Sequence, residues 1–468
     1  MAAPKNQKAK TKKEFRVLSA TAILGYGFPE ASFREGLKRR PDLIGVDAGS
    51  TDPGPYYLGA GKSFTNRAAV KRDLRFMLTA GVRRGIPVVI GTAGGSGARP
   101  HVDWCEEIVR EIAAEEKLTF KMGVIYADVP KARVRRHLLK GEITPLTYVP
   151  PLTEEVLEAS VNVVAQMGVE PIQKALAAGC QVVLAGRCYD PAVFAALPIS
   201  LGFDPGLALH MGKILECAAI AATPGSGADC AFGTLRRDSF ILESLNPARR
   251  FTKESTAAHT LYEKTDPYHL PGPGGELDLT GCSFAELPGG KVEVRGSRHV
   301  DSERYCVKLE GVRRVGYRTI AVAGTRDPIM IRDIDGILAG VETQVRQILK
   351  AEAGGARIHF HVYGRDGVMG ALEPERRIRS HELGIVIEAV AATQEAADAV
   401  CSLTRSTLLH YGYPGRISTA GNLALPFSPS DARMGEVFEF SVYHLMPVAR
   451  PADFPARVVT VRGGKEPR

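Results

Sequence analysis

Hydrophobic positions in the first half of the chain follow two periods in turn, and they predict alternating strands and helices. Short apolar runs predict buried strands at 16–24, 43–47, 88–90, 120–126 and 181–185. Apolar residues spaced three and four apart predict helices at 30–39, 63–85 and 103–116. This order is typical of a mostly parallel sheet with helices on both faces. We therefore predict an α/β fold with an N-terminal Rossmann-like domain at 15–265.

The last third of the chain has a different order of elements. Alternating strands are predicted at 357–363 and 437–445, a buried strand at 383–390, and helices at 333–350 and 395–409. The resulting order α-β-β-α-β favours a small antiparallel sheet with helices on one face. We predict that it forms a smaller C-terminal α+β domain at 331–446.

The remaining segments are predicted from their composition and from the proline and glycine residues that interrupt regular structure. Residues 153–179 are predicted to be helical, with a break near Gly168. Residues 266–330 are rich in Pro and Gly at their start and are predicted to form an irregular arm followed by a β segment. The two ends, 1–14 and 447–468, are predicted to be a disordered basic tail and a C-terminal tail.

Composition narrows the functional class. The chain has 468 residues, 44% hydrophobic and 24% charged, as expected of a globular protein with more than one domain. The net charge of +8 lies partly in the lysine-rich tail, and no aromatic-basic stripe or apolar run of about 18 residues occurs. We therefore expect no nucleic-acid partner and no membrane span. The mild basic excess favours an anionic small-molecule substrate.

The eight cysteines are scattered and never form a CxxC pair. In a chain without a secretory signal, this pattern indicates reduced thiols and a cytoplasmic location. It also argues against a zinc ribbon or an iron–sulfur cluster, and we predict no metal site.

A polar, glycine-rich loop follows the predicted strand at 43–47. Asp47 ends the strand, and Ser50, Thr51 and Asp52 come directly after Gly49. Open α/β sheets bind ligands at the carboxyl ends of their strands. We assign proton transfer to Asp47 and Asp52 and substrate binding to Ser50 and Thr51. The alternative is a structural loop whose aspartate caps the next helix.

A second glycine-rich loop joins the next strand to a helix. It contains Gly94, Gly95, Ser96 and Gly97. Free N–H groups and the helix dipole favour an anion at such a place. The pattern is neither GxGxxG nor a Walker loop, so it indicates neither NAD nor ATP, and the cofactor stays unknown.

Arg187 and Asp190 follow the predicted strand at 181–185. The guanidinium group binds carboxylate or phosphate with two parallel hydrogen bonds. We predict that Arg187 and the loop Gly94–Gly97 hold the same anionic group of the substrate, and that Asp190 also binds substrate. The alternative is an Arg187–Asp190 pair that only ties the loop.

Other candidate residues lie further along the chain. Arg365 and Asp366 form a glycine-framed turn, and Asn422 lies in a Gly- and Pro-rich loop. We predict that Arg365 and Asn422 bind substrate and that Asp366 takes part in catalysis in an interdomain cleft. Ordinary hairpin and turn sequences explain both loops equally well. On the predicted helix 207–221, His210 and Lys213 share a face, but a lone helical histidine is more often structural.

Several long blocks resemble the acyclic terpene utilisation, AtuA-like proteins. They include GYGFPE at 25–30, VDAGSTDPGPYYLG at 46–59, GTAGGSG at 91–97, KILECAAIAA at 213–222 and PGRISTAGNLALPFSPSD at 414–431. The resemblance extends from about Arg16 to Leu445. It implies a place in the catabolism of branched acyl-CoA thioesters and a small partner protein encoded alongside.

These observations lead to one principal function and two alternatives. We predict a hydro-lyase or hydratase that acts on a small organic acid or a branched acyl-CoA thioester, with CoA as part of the substrate. The first alternative is a hydrolase of an amide, lactone or thioester with Ser50, Ser96 or a cysteine as nucleophile. The second is a non-catalytic binding subunit that needs its small partner. We also expect a homo-oligomer.

Overall fold

The computed structural model of the protein describes residues 12–350 and 355–464. The chain divides into two compact units, Met1–Arg313 with Phe440–Arg468, and Arg314–Glu439. Residues 1–11, which belong to the predicted basic tail, lie outside the described residues. Lys12, at the start of the described chain, pairs with Asp42.

The elements are numbered in chain order. The strands are β1 (Phe15–Ser19), β2 (Leu43–Asp47), β3 (Val88–Gly91), β4 (Thr119–Ile125), β5 (Thr144–Pro145), β6 (Ser160–Ala165), β7 (Val182–Ala185), β8 (Ala231–Leu235), β9 (Phe240–Ser244), β10 (His269–Gly272), β11 (Gly275–Asp278), β12 (Ser283–Leu287), β13 (Lys291–Arg295), β14 (Arg298–Asp301), β15 (Cys306–Thr325), β16 (Arg357–Tyr363), β17 (Leu383–Ala391), β18 (Asp431–Pro447) and β19 (Ala456–Arg462). The helices are α1 (Glu30–Lys38), α2 (Pro55–Ala60), α3 (Arg67–Arg84), α4 (Arg99–Glu116), α5 (Lys131–Leu139), α6 (Glu154–Ala159), α7 (Glu170–Ala177), α8 (Ala192–Ser200), α9 (Pro205–Leu215), α10 (Lys253–Thr260), α11 (Pro328–Arg332), α12 (Ile334–Leu349) and α13 (Gln394–His410).

The first unit is built on a large mixed sheet, ten-stranded in the described residues, with the order β12-β13-β9-β8-β1-β2-β3-β7-β4-β19. Its centre, β1-β2-β3-β7-β4, is parallel, and antiparallel strands extend both sides. The central strands β2, β3 and β7 are buried along their whole length. Strands covered on both faces read as continuous apolar runs, which is why the sequence identified them. The predicted α/β fold class is confirmed.

The register of the central strands brings three loops to one edge of the large sheet. Asp47 at the end of β2 is paired with Gly91 of β3, and Ile90 is paired with Leu184 of β7. The loops after β2, β3 and β7 therefore leave the sheet side by side. Most of the candidate site residues predicted from the sequence lie in these three loops.

Two segments differ from the sequence-based prediction. The predicted helix 153–179 contains α6, then β6, then α7, and β6 pairs antiparallel with β15. The sequence of β6, SVNVVA, is rich in β-branched valine, which favours a strand when a pairing partner is present. The predicted tail 447–468 contains β19, which adds to the edge of the sheet beside β4.

The predicted irregular arm consists of short paired strands. β10, β11 and β14 form a small antiparallel sheet, while β12 and β13 extend the large sheet beyond β9. The hairpin of β10 and β11 turns at Pro273 and Gly274. Glycine fits this turn because Gly274 has a φ of 78°.

The second unit contains the first four elements of the predicted α-β-β-α-β order, and the last strand, β18, belongs to it as far as Glu439. β16 and β17 pair antiparallel, and β17 continues the sheet to residues Tyr317–Thr325 of β15. α12 and α13 supply the helical side of an apolar core that includes Val341, Ile387 and Val400. In the part of the chain that the structure describes, no helix is long and apolar enough to cross a membrane.

Candidate functional site

A cavity of about 740 Å³ lies within the first unit, beside the loops that follow β2 and β7. Three residues singled out in the sequence line it: Asp52, Arg187 and Asp190. Further polar side chains in its wall come from the end of α9, from the chain after α10, and from β15 and β18: Lys213, Glu216, Lys264, Lys308 and Tyr443. The cavity therefore combines acids and bases from segments far apart in sequence.

Arg187 is buried and fully engaged by protein groups. Its Nε donates to Glu310 at 2.7 Å, and its Nη1 donates to Asp190 at 2.9 Å, to the Cys188 carbonyl at 2.7 Å and to Thr92 at 3.2 Å. Burial alone lowers the pKa of Arg187, but Glu310 and Asp190 more than reverse this effect and raise it above its ordinary value. The guanidinium group therefore holds two acids in place.

Glu310 is the acid that Arg187 shares with Lys308. Its side chain is 0% exposed and accepts hydrogen bonds from both Arg187 and Lys308, with Lys308 Nζ at 2.7 Å. Burial raises the pKa of Glu310, but the two cations outweigh it and lower the pKa to about 2. Glu310 is consequently ionised at any physiological pH, as expected for a charge-assisted structural pair.

Lys213 and Glu216 form a second buried ion pair, at the end of α9. Lys213 Nζ donates to Glu216 Oε1, while the buried Oε2 atom has no hydrogen-bond partner among the described residues. Burial, followed by repulsion from Asp190, raises the pKa of Glu216 to about 7 against the attraction of Lys213. Glu216 can therefore exchange a proton near neutral pH.

Asp47 belongs to the same group of acids, although it does not itself line the cavity. It is nearly buried, and its Oδ1 accepts a hydrogen bond from the Gly49 amide at 3.0 Å. Burial and then the negative charge of Asp190 raise the pKa of Asp47 well above its ordinary value, and Glu216 adds to the effect. Asp47 is therefore protonated more readily than an exposed aspartate.

The remaining residues of the first loop have local roles. Asp52 accepts a hydrogen bond from the Ser50 hydroxyl at 2.6 Å, and the Asp52 amide donates back to Ser50 at 3.1 Å. Thr51 is buried, whereas Asp52 is exposed at the cavity. The loop is thus braced by its own side chains, with one carboxylate at the cavity wall.

The glycine-rich loop packs against the backbone of its neighbours. A Cβ atom at Gly97 would lie 2.2 Å from the Arg187 amide nitrogen, and one at Gly94 would lie 2.2 Å from the His101 carbonyl oxygen. The Arg187 amide donates to the Gly97 carbonyl at 3.0 Å. Ser96 is buried, and its hydroxyl has no hydrogen-bond partner among the described residues. The backbones of the two predicted anion-binding elements are therefore adjacent, but the Arg187 side chain is used elsewhere, and the shared clamp stays a prediction.

The candidates in the second unit have partners within that unit. Arg365 Nε donates to Asp366 at 2.8 Å, and Arg365 also pairs with Asp335. Asn422 donates to the carbonyl oxygens of Leu408 at 2.8 Å and Tyr411 at 2.9 Å. These contacts brace loops. A role for Arg365, Asp366 and Asn422 in an interdomain cleft stays a prediction.

Several cavity residues were missed or undervalued in the sequence. Lys213 and Glu216 were visible as neighbours on a helix, but the sequence carried no sign of their burial. Lys308 and Glu310 lie two apart on a strand and so point to one side, which is the only local signal they gave. Lys264 lies just after α10 in an ordinary polar stretch, with no pattern to mark it.

Within residues 12–350 and 355–464, no group of three or more His, Cys, Asp or Glu side chains is placed to hold a metal ion. The acids at the cavity are instead matched by lysine and arginine, as the Glu310 and Glu216 pairs illustrate.

Residues 62–231 match the model described as acyclic terpene utilisation family protein AtuA. This segment is less than half of the chain, and it confirms the resemblance predicted from the sequence over these residues. The matched segment includes the glycine-rich loop, Arg187, Lys213 and Glu216, and ends before Lys264 and Lys308. Comparisons with curated proteins and with solved structures found no match.

Proposed function

We propose that this protein is an acid–base enzyme that adds or removes water on an acyclic-terpene-derived carboxylate or acyl-CoA thioester, in line with the resemblance of residues 62–231 to the AtuA family. The observation that carries the proposal is Glu216. It is a buried carboxyl group with a pKa raised to about 7, and its free Oε2 atom belongs to a residue in the cavity wall. Groups with a pKa near the working pH are the most effective general acids and bases.

The proposed step uses the cavity residues as follows. In hydration, Glu216 takes a proton from water while the water oxygen forms a bond to the β-carbon of an unsaturated acyl group. The electron pair of the double bond moves towards the carbonyl oxygen. When the pair returns, the α-carbon takes the proton from Glu216, which becomes a carboxylate again. Lys264 and Lys308 line the same cavity and supply positive charge for the developing oxyanion. Dehydration follows the same path in reverse.

The hydrolase alternative has weaker support. Ser50 is bonded to Asp52 rather than to a histidine. Burial, followed by repulsion from Asp190, raises the pKa of Cys188 to about 12, which disfavours the thiolate needed for attack. Ser96 remains the candidate nucleophile of this alternative, because its buried hydroxyl has no described partner.

Assembly and location are further parts of the proposal. We propose a homo-oligomer that works with a small partner protein, in line with the family resemblance. All eight cysteines lie in the described residues and are free thiols, which supports a reducing, cytoplasmic compartment. If the protein is only a binding subunit, activity will appear solely after the partner is added.

The experiment incubates the protein with short branched enoyl-CoA and 3-hydroxyacyl-CoA thioesters, and with the free acids, in ¹⁸O-labelled water. We expect mass spectrometry to show one ¹⁸O atom in the hydrated product. Glu216→Gln should lower the rate by about 10²–10⁴-fold. The matched control Glu155→Gln, at an exposed position of α6, should act as wild type. Label in a released carboxylate instead, with an unaffected Glu216→Gln variant, favours the hydrolase.

A further inference from the structure

Four of the five cations in the cavity wall are already paired with acids. Arg187 and Lys308 contact Glu310, Lys213 contacts Glu216, and Arg304 contacts Glu142. Lys264 is the exception, since it lines the cavity but forms no ion pair with any described residue. An ammonium group in this setting gains a strong hydrogen bond when an anion enters, because no protein group has to be displaced.

Lys264 lies beside Tyr189, and Tyr189 also forms part of the wall of a second cavity. The Lys264 Nζ atom is 5.8 Å from the centre of the Tyr189 ring. Tyr189 also lines a neighbouring cavity of about 240 Å³. Both cavities share the turn of the β10–β11 hairpin, residues 272–275. The side chain of Tyr189 and the turn at residues 272–275 therefore lie between the cavity that contains the charged residues and the second cavity.

The second cavity offers an apolar wall. Ile199, Leu209, Leu270 and Leu277 contribute aliphatic side chains to it. The polar side chains at its margin largely satisfy one another: Tyr305 donates to Glu170 at 2.7 Å, and His299 is 3.2 Å from Asp301. An aliphatic chain is the ligand chemistry that such a wall favours.

We propose that the substrate is an aliphatic carboxylate or its thioester, with its polar end at Lys264 and its hydrocarbon chain in the cavity behind Tyr189. The inference rests on the proposed function only in placing the substrate in the same cavity as Glu216. A cavity of about 150 Å³ accommodates benzene, so the second cavity, at about 240 Å³, has room for a chain of roughly six to ten carbon atoms.

The first experiment tests the contact between Lys264 and the polar end of the substrate. It uses isothermal titration calorimetry with hexanoate and with the uncharged hexanamide. We expect Lys264→Met to weaken hexanoate binding about tenfold or more and hexanamide binding by a much smaller factor, because only hexanoate carries a charge. Retained hexanamide binding also shows that the variant is folded. The matched control Lys140→Met removes an exposed lysine at the end of α5 and should bind hexanoate as wild type. Equal hexanoate binding by Lys264→Met and wild type overturns the proposal.

The second experiment tests the site proposed for the hydrocarbon chain of the substrate by comparing the affinities of acetate and hexanoate. Each buried methylene contributes about 0.8 kcal/mol, so we expect hexanoate to bind at least tenfold more tightly than acetate. Ile199→Phe fills space at a half-buried wall position and should weaken hexanoate about fivefold without affecting acetate. Leu201→Phe makes a similar change at an exposed position just beyond α8 and serves as the control. Equal affinity for acetate and hexanoate overturns the proposal.

Failure of this inference can be told apart from failure of the proposed function. Calorimetry measures binding without turnover, so the expected binding pattern in a protein that never hydrates a thioester leaves the inference standing. Conversely, incorporation of ¹⁸O that depends on Glu216, together with normal hexanoate binding by Lys264→Met, removes the inference and keeps the function.

Discussion

Glu216 and Glu310 are both buried carboxyl groups that contact a lysine of the cavity wall, yet their environments shift their pKa values in opposite directions. Glu310 receives hydrogen bonds from two cations, and its pKa is lowered to about 2. Glu216 receives a hydrogen bond from one cation, Lys213, while Lys264 attracts it only at longer range and Asp190 repels it, and its pKa is raised to about 7. The number of cations that donate a hydrogen bond to a buried acid therefore decides whether it is a fixed structural charge or a proton-transfer group.

The largest expected effect comes from removing the fixed charge. Glu310→Gln leaves the buried Arg187 and the half-buried Lys308 without their shared anion, so we expect a loss of about 3–5 kcal/mol in the free energy of unfolding. Urea denaturation at pH 7 measures it. Glu216→Gln is the control, since only one cation loses a partner and glutamine still accepts a hydrogen bond from Lys213. An equal loss in both variants would remove the distinction between the two acids.

The next effect is an opposite pH dependence of stability at the two sites. The pKa of Glu216 is raised by folding, so the folded state keeps a proton that the unfolded chain has released. Its contribution to stability therefore falls as pH rises from about 4.5 to about 7. The pKa of Glu310 is lowered, so its contribution is complete above about 4.5 and is lost as pH falls towards 2.

This difference can be measured in the range where the protein is folded. We expect the stability of wild type relative to Glu216→Gln to fall between pH 5 and pH 7.5, by an amount on the order of 3 kcal/mol. Urea denaturation of both proteins at several pH values gives the comparison, and Glu155→Gln supplies the reference. A relative stability that rises or stays constant over this range contradicts a raised pKa at Glu216.

The smallest expected effect is a shift in the pH dependence of the rate when Asp190 is replaced. Asp190 repels Glu216 and also contacts Arg187. Asp190→Asn removes the repulsion while its amide oxygen can still accept from Arg187, so we expect the midpoint of the pH–rate profile to move below pH 7 by less than one unit. The rate profile of the hydration assay measures the shift. A midpoint that moves upwards is inconsistent with repulsion from Asp190.

The sequence predicted the edge of the sheet better than the opposite wall of the cavity. Asp47, Arg187 and Asp190 follow apolar strands that form the parallel centre, so the rule for open sheets located them. Glu310 and Lys308 lie on an antiparallel strand more than a hundred residues later, where alternation of polar residues is ordinary. The pairing of Glu310 with Arg187 depends on a long-range contact that no local pattern encodes.

The same limit explains the differences in secondary structure. The segment 160–165 was predicted as helix because its flanks are helical, but β15 supplies a partner strand for its valines. In the tail, β19 becomes a strand because β4 leaves an edge open to it. Tertiary pairing overrides local propensity in both cases.

The most direct test of the comparison is the titration of the two carboxyl groups themselves. Carbon-13 NMR of protein labelled at the glutamate side-chain carboxyl carbon, with the two signals assigned from Glu216→Gln and Glu310→Gln, follows both in one experiment. We expect the Glu216 signal to titrate with a midpoint near pH 7 and the Glu310 signal to stay in its ionised position down to at least pH 4. A Glu216 midpoint at or below pH 5 would contradict its role as the proton-transfer group.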